Sequence, residues 1–83
     1  MLEELRRKSA LLNAQLREKY DKAIYDIAIE RGVDLGIAFD MLKAVARGAN
    51  YAEGVDLDIE ELKKDYYEIA CVSEEIARAT GMI

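Results

Sequence analysis

The sequence predicts an all-α domain of three helices, long, short and long. Three observations carry that prediction. Apolar or small residues recur at steps of three or four over most of the chain, the period of a helix with one buried face. There is no proline, and Gly32, Gly48 and Gly81 fall where the periodic stretches stop. Ala, Leu, Ile, Glu and Lys are abundant, as in helical proteins.

The first helix is expected over residues 2–31 without a break. Leu2, Leu5, Ser9, Leu12, Leu16, Tyr20, Ala23 and Ile27 form its stripe, and no Gly or Pro interrupts it. At ~1.5 Å per residue it would be about 45 Å long. Around Tyr20 the stripe widens to include Ile24, Tyr25, Ala28 and Ile29, which leaves Asp21, Lys22 and Asp26 for water. Such a helix calls for packed partners on more than one side. The half from Leu2 to Leu16 has the narrower stripe of a helix with a single neighbour.

Gly32 suits the left-handed residue that ends a helix, with Val33 as the apolar contact beyond it. Asp34 is a good N-cap for a second helix over residues 35–48, with Leu35, Ala38, Phe39, Met41, Leu42 and Val45 inward. Residues 49–56 read as a loop or as a last turn followed by a loop. Asp58 and Glu61 then have the spacing of a capping box, and Leu57 and Leu62 that of a hydrophobic staple. They open a third helix over 58–80, with Leu62, Tyr66, Ile69, Val72, Ser73 and Ile76 inward. It is expected to lie antiparallel to the first, with the second bridging one end. The end of the first helix near Met1 would overhang, and a bare leucine stripe there calls for a partner.

Length and composition narrow the possibilities. The 83 residues make one domain, 1–83, too small to be robust without a metal, a disulfide or self-association. One cysteine, Cys71, rules out an internal disulfide, and the lack of histidine removes the usual ligands of zinc and di-iron sites. Self-association as a homodimer is the remaining support, and Leu5, Leu12 and Leu16 are the residues expected to carry it.

The net charge of −5 is unevenly spread. Residues 1–48 hold nine Lys/Arg against eight Asp/Glu, and residues 49–83 hold three against nine. That balance argues against non-specific nucleic-acid binding and against anionic membranes. The longest uncharged run, Ser9 to Leu16, is far short of the ~18–20 residues that span a bilayer. With a lone cysteine and no signal-like start, the expected location is the cytoplasm.

No catalytic, cofactor or metal site is expected. The carboxylates Glu53, Asp56, Asp58, Glu60, Glu61, Asp65 and Glu68 sit at a helix start and on a solvated face, where capping and the helix dipole account for them. Asp56 to Glu60 resembles the opening of a calcium loop, but the register fails: Glu61 stands where glycine is needed and Tyr67 where glutamate is needed. Cys71 has no histidine to activate it and reads as a buried structural thiol. The layout is also that of the all-helical chorismate mutases, yet the single Gln15 and the scattered basic residues match no substrate-binding spacing.

Two functional readings remain. In the first, the acidic C-terminal half faces a basic surface on a protein partner. The residues that would carry it are Glu60, Glu61, Lys64, Tyr67 and Glu68. Tyr67 rather than Tyr66 is the outward member of the pair, because neighbours on a helix diverge by ~100°. In this general sense the chain is similar to small acidic helical inhibitors of nucleic-acid-handling enzymes, some of them phage-encoded. The alternative is a helix-turn-helix-like DNA-binding regulator, with Ala28, Gly32 and Val33 in the usual small, turn and apolar places. Its recognition helix would begin Leu35-Gly36-Ile37-Ala38-Phe39-Asp40, without a side chain suited to base edges or phosphates.

Overall fold

Four helices, not three, make up the computed structural model: α1 (Leu2–Lys19), α2 (Asp21–Arg31), α3 (Leu35–Ala46) and α4 (Ile59–Ala79). Residues 1–81 are described, so the last two positions of the expected domain lie outside them. No strand is present among the described residues.

The fourth helix arises because the expected first helix kinks at Tyr20. Its backbone sits at φ −105°, ψ 24°, away from helical values. Bonds of the helical kind persist on either side, from the Tyr20 N–H to the Leu16 carbonyl and from the Ile24 N–H to the Tyr20 carbonyl. Local sequence favours an unbroken rod, so the kink has a tertiary cause. Tyr20 is only 7% exposed, and its hydroxyl donates to Asp65 of α4 at 2.6 Å. The departure from helical values thus falls on the residue that this contact holds, which is neither Gly nor Pro.

The ends of the other helices follow their sequence signals. Gly32 has φ 63°, the left-handed geometry that stops α2, and the Val33 N–H reaches back to the Ala28 carbonyl. The Asp34 carboxylate accepts from the Ile37 N–H at 2.8 Å and starts α3. Asp58 accepts from the Glu61 N–H at 3.2 Å and starts α4. Leu62 of the staple is fully buried, and Leu57 packs half-buried on the core. Residues 47–58 form the loop between α3 and α4, and Arg31 ties that loop down by donating to the Asn50 carbonyl.

α4 runs antiparallel to α1: Lys19 at the end of α1 meets Glu61 and Asp65 near the start of α4. α3 packs back on α2 and touches α4. One cluster holds the molecule together: Leu16, Tyr20, Ala23, Ile24, Ile27, Ala38, Leu42, Val45, Leu62 and Ile69. Val72 of α4 is also buried but stands apart from that cluster.

Three expectations are corrected. The end near Met1 does not overhang bare, because the 21 residues of α4 run back along α1 and leave Leu2 and Leu5 half-buried. The wide apolar band of α2 is not covered all round. It packs on α3 along one side, so Tyr25 and Ile29 are 51% and 76% exposed. Ser73, expected inward, is exposed, while Val72 takes the interior place.

Candidate interaction surface

The flank of the α1/α4 hairpin is where most of the expected site residues meet. Leu12, Gln15, Leu16 and Lys19 of α1 and Lys64, Asp65 and Glu68 of α4 line a half-open cleft of about 270 Å³. Leu12 and Leu16 supply its apolar lining and the charged side chains its rims. Helix periodicity places these residues. Leu12, Leu16 and Lys19 follow at steps of four and three on α1, and Lys64 and Glu68 are one turn apart on α4.

An ion-pair network closes one end of the cleft. The Lys19 ammonium lies 2.8 Å from Asp65 and 3.1 Å from Glu61. The Tyr20 hydroxyl donates to the same Asp65 oxygen. Lys19 and then Tyr20 hold the Asp65 carboxyl below its ordinary pKa. Burial, reinforced by Asp65, pushes the Tyr20 hydroxyl up, so it stays a donor. The two carboxylates in turn raise Lys19. Exposed ion pairs contribute ~0–1 kcal/mol, whereas a hydrogen bond from a buried hydroxyl to a carboxylate contributes about 1.5–3 kcal/mol. Tyr20–Asp65 is therefore the stronger link.

The expected site residues divide into two groups. Leu12, Leu16, Lys64 and Glu68 come together in the cleft, and Glu61 joins through Lys19. Leu16 is 4% exposed and is taken up by the chain's own core. Leu5 is half-buried farther along the hairpin, and Glu60 sits on the outside, 3.9 Å from Lys63. Tyr67 is 68% exposed on the outer face of α4, while Tyr66 is half-buried and accepts a hydrogen bond from Arg47 at 2.7 Å. The Cys71 thiol, one turn on from Tyr67, raises that tyrosine's pKa, and Cys71 itself is half-buried rather than enclosed.

Gln15, Lys19, Tyr20 and Asp65 belong to this region although sequence reasoning assigned none of them to self-association or partner binding. Their signal is not local. Only the antiparallel docking of α4 brings residue 65 against residues 19 and 20.

The rest of the surface offers other chemistry little. Among the described residues, no three Cys, Asp or Glu side chains gather as a metal-ligand set, and no helix is long and apolar enough to cross a membrane. The turn between α2 and α3 has helix-turn-helix proportions. The exposed positions of α3 are Gly36, Ile37 and Asp40, and Lys43 is drawn inward to Asn13 and over the Phe39 ring. Compared with protein-family models, curated proteins and solved structures, the chain matches none of them.

Proposed function

We propose that this protein is a non-enzymatic interaction protein that self-associates through the α1/α4 hairpin and binds a second protein through the outer face of α4. A regulator or inhibitor of a partner with a basic surface is the most specific form of this reading. The observation that carries it is the open hairpin flank. Leu12 of α1 lies half-exposed in a cleft between charged rims, and Tyr67 stands out from the outer face of α4. A half-covered leucine ringed by charge, with an exposed tyrosine on the neighbouring helix, has the composition of a small interface: an apolar centre, a polar rim and an aromatic anchor. The acidic balance of residues 49–83 suits a basic partner and disfavours phosphate backbones.

Light scattering tests the self-association. At high micromolar concentration the wild type should give twice the 9.4 kDa of one chain, and Leu12→Glu should bring it back toward 9.4 kDa. A mass that ignores the substitution removes this part of the reading. Titration of fluorescent mixed-sequence duplex DNA at low salt tests the competing regulator. We expect no saturable signal, and tight, salt-sensitive binding would replace the protein-partner reading with the DNA-binding one.

A further inference from the structure

We infer that α1 is an exchangeable arm: two chains straighten at Tyr20, and each lays its α1 in the place on α4 that the other's α1 has left. This goes beyond the flank pairing proposed above and does not depend on it. The observation that carries it is the junction between α1 and α2. Helical geometry fails there at one residue, and bonds of the helical kind continue on either side, from Tyr20 to Leu16 and from Ile24 to Tyr20. No Gly or Pro lies within residues 2–31. Straightening therefore asks no residue to enter a costly conformation.

Two charge pairs favour the straight form. Glu18 and Lys22, and likewise Arg17 and Asp21, stand four apart across the junction. All four are exposed, and none forms an ion pair in the bent chain among the described residues. In an unbroken helix each pair lies one turn apart on one face, the spacing at which opposite charges attract.

α1 is also the helix the core needs least. Of the ten residues in the central cluster, only Leu16 belongs to α1; Tyr20 stands at the junction, and the rest lie in α2, α3 and α4. α1 meets the remainder of its chain chiefly along α4, with little contact to α2. A chain that releases α1 thus keeps most of its own core.

The vacated place identifies its occupant. It already fits one helix, the α1 of this sequence, so a second copy fills it with no new complementarity to be found. The bonds across it re-form between chains: Lys19 with Glu61 and Asp65 of α4, and Asn13 with Lys43 of α3. A released α1 bares Leu12 and Leu16, so the open single chain is disfavoured and rising concentration drives the exchange. Around a two-fold axis the exchange is reciprocal, and monomer and dimer then differ chiefly at their junctions.

The test is to unfold isotope-labelled and unlabelled chains together in urea, refold them together at high micromolar concentration, and add carbodiimide. The reagent couples Lys19 to Glu61 or Asp65 where they touch. In the dimer isolated by size exclusion, mixed-isotope product should be as abundant as unmixed product. Lys22→Glu sets like charges across the junction, on an exposed side chain, and should weaken the dimer about fivefold. Adding Glu18→Lys should restore it. A dimer whose coupling stays within single chains, one indifferent to Lys22→Glu, or one that the double exchange fails to restore overturns the arm exchange and leaves the flank pairing standing. A chain that stays monomeric after refolding at high concentration overturns both.

Discussion

Tyr20 is the residue with the largest consequence. Nothing in its immediate neighbours marks it as the end of a helix, and its place in the apolar stripe predicts burial, which it has. What the sequence does not show is that its hydroxyl meets Asp65, 45 positions away. Asp65 also gives a pH dependence. Its folded pKa is depressed by Lys19 and Tyr20, so its contribution to stability is complete above the unfolded value of about 4 and is lost as pH falls through the lower folded value. Urea melts between neutral pH and pH 2 should show stability falling from about pH 4 downward. In Asp65→Asn the neutral-pH stability should be lower by about 1–3 kcal/mol, with the acid-side slope reduced. An unchanged slope would show that Asp65 is not the titrating group.

At the scale of elements, the helix ends were the most legible part of the chain. Asp34 and Asp58 cap α3 and α4 as their side-chain chemistry requires, and Gly32 takes the left-handed turn. Asp34→Ala should cost about 1 kcal/mol in thermal or urea unfolding, the value of a lost N-cap. A change within error would show that the Ile37 N–H finds an equivalent partner in water. The long first helix was misread for a physical reason. Helix periodicity reports propensity and amphipathicity, and both run through residue 20 without a fault. The wide apolar band of α2 misled in the same way, since Tyr25 and Ile29 are apolar without being covered. Periodicity shows which side is greasy, not how many neighbours come to cover it.

At the scale of the molecule, the central cluster draws on all four helices but lies toward α2, α3 and the first half of α4. The far end of the hairpin is two helices thick, with Val72 as its buried residue. Stability should be graded accordingly. Native-state hydrogen exchange should find the slowest amides in α2, α3 and residues 62–69. The faster ones should lie in residues 2–9 and 74–79, with protection there rising with protein concentration as the flank pairs. Uniform, concentration-independent protection would contradict both the gradient and the pairing. The candidate surface was legible by halves. Leu12, Lys64, Tyr67 and Glu68 follow from amphipathic geometry, whereas Gln15, Lys19 and Asp65 required the docking of one helix on another.

The bend at Tyr20 is held from outside by a side chain on the last helix, and no soft backbone residue supplies it. The angle between the two halves is therefore owned by the complete chain. A peptide of residues 1–31, which lacks Asp65, is expected to be straighter than the same stretch in the folded chain. The bend between α1 and α2 is thus tied to a helix some forty residues further along the chain.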